Sequence, residues 1–189
     1  MGSRIRCFSL ELSDQVEMTL RRFSRAEFSA CPASDRGYHN AEIVIGRSGR
    51  GDCTEVHGDS WPHADPRWPK QCACGYVFTV DDDWQFNPHR LYRRADTGEL
   101  VTLGHAPAGA MWNAYWLRGI KRYKERPDGI VLLVRTPGGD WAVDGPSSNG
   151  NGWERTGIAT GAAPTVDVNP SIIVGSYHGF LRHGWLEEC

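Results

Sequence analysis

The stretch Gly129-Ile130-Val131-Leu132-Leu133-Val134-Arg135-Thr136-Pro137-Gly138-Gly139-Asp140-Trp141-Ala142-Val143 decides the fold class. Residues 130–134 are wholly apolar and bounded by turn formers, which predicts a central strand covered on both faces. Thr136-Pro137-Gly138-Gly139 supplies the turn, and residues 140–143 return as the second strand of a hairpin.

Working outward, the same logic predicts further hairpins. Residues 90–94 and 99–103 flank Asp96-Thr97-Gly98, with glycine where a positive φ is needed. Residues 76–80 read as a short strand, and Ala41, Ile43 and Ile45 alternate before a turn at Gly46-Arg47-Ser48-Gly49. Residues 6–12 alternate with Phe8, Leu10 and Leu12 on one face and Cys7 on the other. Toward the C-terminus, residues 165–168, 172–174 and 177–181 are brief strands.

Two segments predict helices. Ser13 and Asp14 form an N-cap, Glu17 completes a capping box, and Val16, Leu20 and Phe23 follow at helical spacing. A helix over 14–25 would leave Arg21, Arg22 and Arg25 in water. Residues 107–119 form a second, short helix packed by Met111, Trp112, Tyr115 and Trp116. The fold class is therefore α+β and mostly β: antiparallel hairpins, one or two short helices and a long irregular region over 50–71. The chain reads as a single domain, 1–189, in which a metal-stapled half (1–104) can be distinguished from a β-hairpin half (105–189).

With 40% hydrophobic and 23% charged residues, the composition is that of a globular protein rather than a disordered one. A net charge of −2 argues against general nucleic-acid or membrane-surface binding, which needs concentrated positive charge. Two basic clusters, 90–94 and 118–124, read as solvated faces. Eight tryptophans are spread along the chain and are expected to pin loops onto the core. No segment approaches the roughly 20 apolar residues that span a bilayer. Met1-Gly2-Ser3-Arg4-Ile5-Arg6 lacks the apolar core of a signal peptide, so the expected location is a cytoplasm or a particle assembled there. In that reducing setting six cysteines suggest metal ligands or buried thiols rather than disulfides.

Cys72-Ala73-Cys74-Gly75 resembles a zinc knuckle, in which glycine lets backbone amides turn toward the sulfurs, although the usual spacing has two residues between the cysteines. Zinc needs four donors. Cys31, His39, Cys53, His57 and His63 are the candidates for the other two. A long irregular loop needs a fastener, and a structural zinc fits that need. Cys7 and Cys189 are expected to be non-ligands. No zinc-protease, zinc-deaminase, phosphate-loop or nucleophile-elbow pattern occurs, and Asp81-Asp82-Asp83 reads as a solvated turn. No catalytic residue is assigned.

The elements Trp68-Pro69-Lys70-Gln71-Cys72-Ala73-Cys74-Gly75-Tyr76-Val77-Phe78, Leu91-Tyr92-Arg93-Arg94-Ala95-Asp96-Thr97-Gly98-Glu99 and Ala106-Pro107-Ala108-Gly109-Ala110-Met111-Trp112 resemble a family of uncharacterised proteins of tailed bacteriophages and prophages. Gly37-Tyr38-His39-Asn40-Ala41, Asp140-Trp141 and Tyr177-His178-Gly179-Phe180-Leu181 fit the same pattern. The resemblance implies a phage origin and supplies no activity. It also implies a cysteine ligand at position 31, selecting Cys31, His39, Cys72 and Cys74 as the zinc set. Relatives carry extra cysteines after Ser147-Ser148-Asn149, where this chain has none. The expectation is a non-enzymatic virion component (a decoration, head–tail or tail protein) whose partners are other phage proteins or copies of itself. The alternative is an intracellular phage factor acting on the host, as a zinc enzyme or an inhibitor of a defence system.

Overall fold

In the computed structural model, which describes residues 2–24, 31–33, 37–48, 64–124, 126–147, 150 and 152–189, the chain is mostly β. Its strands are β1 (Arg4–Arg6), β2 (Phe8–Phe23), β3 (Asn40–Ser48), β4 (Asp83–Arg94), β5 (Leu100–Thr102), β6 (Ala110–Asn113), β7 (Leu132–Thr136), β8 (Gly139–Ala142), β9 (Glu154–Thr156), β10 (Asp167–Val174), β11 (Tyr177–Arg182) and β12 (Trp185–Glu188). Among the described residues the only helical pieces are two three-residue 3-10 turns, Leu103–His105 and Tyr115–Leu117. Among these residues no helix is long and apolar enough to cross a membrane. Two compact units emerge, one from Met1–Leu12 with Tyr92–Cys189, the other from Ser13–Leu91.

In the first unit β1, β12, β11, β10 and β9 form an antiparallel sheet in that order. A second sheet carries the neighbours β2, β6, β7 and β8. The decisive hairpin forms, but its first strand is shifted from 130–134 to 132–136: Thr136 and Gly139 pair as the last rung, Leu133 lies opposite Ala142, and only Pro137 and Gly138 make the turn. Both faces of β7 meet apolar neighbours. Leu132 and Val134 join a cluster with Met111, Ile172, Leu181 and Leu186, while Leu133 packs on a second cluster with Phe8, Leu10 and Trp112. Each fully buried side chain of this kind contributes about 1.5–3 kcal/mol, so these two layers dominate the unit's stability.

The helix expected over 107–119 is not formed. Residues 110–113 are β6, parallel to β2 through Phe8–Ala110 and Ser9–Met111 pairs and antiparallel to β7. Met111 and Trp112 therefore face opposite clusters with a period of two, and the helical reading mistook two-sided burial for one apolar stripe. Only residues 115–117 keep a helical turn.

Close approach is visible at Gly138, in the β7–β8 turn. A Cβ there would clash with the Val174 carbonyl and sit 3.0 Å from the Tyr177 Cβ. Backbone cannot step aside cheaply, so Gly138→Ala is expected to cost about 1–3 kcal/mol. A urea midpoint unchanged from the native chain would contradict that packing.

The first unit also buries a charge network. Asp144 is fully buried and accepts from the Leu132 backbone N–H (2.9 Å), Arg126 Nε (2.9 Å) and Arg155 Nε (3.2 Å). Arg155 in turn donates to both oxygens of Asp128, at 2.9 and 3.0 Å.

The second unit corrects the other predicted helix. β2 continues unbroken through residues 14–23 and pairs with β3 from Val16–Ser48 to Phe23–Asn40. Glu17, read as a capping residue, is instead the cross-strand partner of Arg47, with an ion pair of 2.8 Å. Arg22 is not wet. It is buried over Trp68 and Phe78, with Nη1 donating to the Pro69 carbonyl at 2.9 Å and Nη2 to that of Thr79. Arg25 lies outside the described residues. Long-range pairing overrode a local capping signal worth only about 1 kcal/mol.

Strand β3 runs through Gly46 rather than turning there. The register jumps between Met18–Gly46 and Thr19–Val44, which makes Ile45 the extra residue of a bulge. Ile45 joins Leu20 and Trp68 in a small core. The strand expected over 76–80 shrinks to one bridge, Gln71 to Val77. Beyond it the chain turns, and Asp82 fastens the turn by accepting from the Thr79 backbone N–H at 2.6 Å.

Candidate metal centre

Two short structures in the second unit deliver the donors. The β2–β3 ladder is extended by the Ser24 N–H, which donates to the His39 carbonyl at 3.0 Å, so His39 sits at the end of a paired strand. The Cys72–Gly75 turn is closed by the Gly75 N–H to the Cys72 carbonyl (2.9 Å) and the Cys72 N–H to the Tyr76 carbonyl (2.8 Å). Gly75 has φ +98°, a conformation L side chains avoid, so glycine is required there. Gln71 locks the turn from outside by donating to the Gly75 carbonyl at 2.8 Å.

These elements and Cys31 bring four donors together. Cys31, His39, Cys72 and Cys74 each offer one ligand atom, and all four atoms lie within 4.8 Å of one another. The Cys31 and Cys72 sulfurs are 3.7 Å apart, and His39 Nδ1 is 3.1 Å from the Cys74 sulfur. A tetrahedron with Zn–S bonds of about 2.3 Å has sulfur–sulfur edges of about 3.8 Å. The sulfur pair is therefore at metal-sharing distance and far from a disulfide, whose bond is about 2.05 Å.

The surroundings favour a bound cation. Cys31 and Cys72 are buried in a cluster with Phe78, against which Ala41, Cys74 and Tyr76 pack. Burial raises the Cys72 thiol, but hydrogen bonds from the backbone N–H groups of Cys74 and Asn40, and from the Cys31 and Cys74 thiols, outweigh it and bring it down to about 6. Amides turned toward sulfur are what the glycine was expected to permit. Cys31 is pushed the other way, chiefly by burial. A metal would deprotonate both.

One supporting residue escaped the sequence reading. The Tyr76 ring stacks on His39 at 4.1 Å and 3°, and its hydroxyl reaches Ser24 Oγ at 3.2 Å and Asp82 Oδ1 at 3.3 Å. It orients the imidazole as an outer-shell partner. The signal was present as an aromatic two residues after Cys74, but it read as the start of a strand.

The remaining candidates fall elsewhere. Cys53, His57 and His63 lie outside the described residues. Cys7 is buried in the main core, and burial pushes its thiol up to about 12; Cys189 is exposed. Asp82 of the aspartate triplet is spent on its own turn. Thr19, Glu42 and His89 also meet, but His89 Nε2 faces both Thr19 Oγ1 and Glu42 Oε1 at 3.2 Å. A hydroxyl–imidazole–carboxylate relay uses the two ring nitrogens separately, so this trio lacks that geometry.

Comparison of the chain with protein-family models, with curated proteins and with solved structures returned no match.

Proposed function

We propose that the protein is a non-enzymatic structural component of a bacteriophage particle whose second unit is fastened by a zinc ion on Cys31, His39, Cys72 and Cys74. The observation that carries the metal reading is the mutual approach of these four donors, 4.8 Å or less. Three sulfurs and one imidazole are a closed structural shell, whereas a catalytic zinc keeps a position for water. Softness of the donors favours zinc over hard cations such as calcium or magnesium, which take oxygen. The ion ties Cys31 and the 72–75 turn to the end of the β2–β3 ladder.

The particle assignment is supported by the resemblance of the 68–78, 91–99 and 106–112 elements to tailed-phage proteins, and by the predominance of strands. Its partners are other phage proteins or further copies of this chain. Elemental analysis of the purified protein should find about one zinc per chain. Mass spectrometry of purified particles from the source phage should detect the chain in stoichiometric amount. Finding it only in the infected-cell lysate would favour the intracellular factor acting on the host.

A further inference from the structure

The chain between β6 and β7 contains Tyr115-Trp116-Leu117-Arg118-Gly119-Ile120-Lys121-Arg122-Tyr123-Lys124, four cations with no acidic residue among them. The backbone is a succession of turns, closed by the Leu117, Arg118, Ile120 and Tyr123 N–H groups, and Lys124 N–H anchors it to the Asp144 carbonyl at 2.8 Å. Turns of this kind present side chains outward. Tyr115 and Trp116 are 45% and 46% exposed, with their rings edge to face at 5.2 Å, whereas Trp112 and Trp141 of the same unit are buried. Leaving two large rings half in water forgoes part of the burial that such side chains otherwise gain.

The segment also supplies Arg118 to a cavity of about 210 Å³ lined with Arg126, Gly129, Ile130 and Val131. Arg126 is held rigid there, its Nε on the buried Asp144 carboxylate at 2.9 Å and its Nη2 on the Trp153 carbonyl at 2.9 Å. Its Nη1 and the whole Arg118 guanidinium have no partner among the described residues. Two arginines line one small cavity, and a guanidinium can take a phosphate in a bidentate pair.

We propose that this basic, aromatic segment binds single-stranded nucleic acid, with a phosphate between Arg118 and Arg126 and bases stacked on Trp116 and Tyr115. Stacking on an exposed ring needs unpaired bases, which duplexes do not offer, and it tolerates any sequence. The chain's net charge of −2 speaks against binding over the whole surface and leaves room for this local patch, because charges beyond about 8–10 Å are screened at physiological salt. The inference stands on these residues alone and does not depend on the zinc or particle readings.

The test is fluorescence anisotropy of labelled oligothymidylate and oligouridylate with the intact chain, in parallel with quenching of its tryptophan emission. Binding should weaken with salt, with a log–log slope of about −1.5 to −2, as expected for two to three phosphates. Trp116→Ala should reduce affinity about 5-fold or more and lose most of the quenching. Arg118→Glu should abolish binding at salt where the native chain binds. Both positions are exposed, and an unchanged thermal melt confirms folding. Equal affinity of both variants and the native chain would overturn the proposal. So would polyglutamate binding as tightly as oligothymidylate, which would mark a surface for an acidic protein instead.

Discussion

Asp144→Ala is expected to destabilise the protein by about 3–5 kcal/mol, lowering Tm by roughly 10 °C for a chain of this length. Asp144 is fully buried, and the Arg155 side chain beside it is 3% exposed. Removing the carboxylate leaves a buried guanidinium without its inner partner and the Leu132 N–H without an acceptor. Asp128 still holds the outer nitrogens of Arg155, which keeps the loss toward the lower end of the range. Asp144→Asn retains an acceptor for Leu132 but not the charge, so it should fall between the native chain and the alanine variant. The double variant Asp144→Ala with Arg155→Ala should be less destabilised than the sum of the singles, because the second change removes the stranded charge. Additive losses, or an alanine variant within about 1 kcal/mol of native by urea unfolding, would show that the network does not support the hairpin.

Asp144 also illustrates what the sequence could not reveal. Its neighbours in the chain, Val143 and Gly145, carry no sign that its carboxylate will continue the β7 ladder. That role exists only once residue 132 lies beside it. The same holds for Glu17, whose position three residues after Asp14 suits a capping box as well as it suits a strand opposite Arg47. Period and turn chemistry serve some elements and mislead at others: the helical spacing of Val16, Leu20 and Phe23 lies within β2, and Gly46 lies within β3. The apolar run forms a strand shifted to 132–136, with residues 130–131 outside it, while the Asp96-Thr97-Gly98 turn and the 172–181 return form where expected. Where burial on both faces blurs the period, as at residues 110–113, a strand looks helical. The four candidate ligands lie between these cases. Cys72 and Cys74 are legible from spacing alone, but Cys31 and His39 are 41 and 35 residues away from their contacts. Spacing left Cys53, His57 and His63 equally eligible, and the choice of Cys31 and His39 came from the phage resemblance. Folding then brings those four side chains together.

Chelation of the proposed zinc should have the largest effect on the second unit. Structural zinc sites carry apparent binding free energies of about 10–16 kcal/mol, comparable to or larger than the whole stability of a typical domain, about 5–15 kcal/mol. Even free zinc at about a thousand times its dissociation constant stabilises by about 4 kcal/mol, so a strong chelator should lower Tm by roughly 10 °C. Cys72→Ser and Cys74→Ser should each lose the metal and reproduce that shift without chelator, whereas Cys189→Ser should retain both metal and Tm. The pH dependence has a defined sign. The Cys72 thiol is lowered in the folded chain to about 6 from an ordinary value of 9.0. A depressed value means that the folded state favours the thiolate, so in the metal-free chain this contribution is fully present above about 9 and is lost as pH falls through about 6. The metal competes with the same proton, so zinc should be held at neutral pH and released only on acidification below about 6. Zinc retained by both cysteine variants, or a melt that chelator leaves unmoved, would remove the metal from any account of this fold.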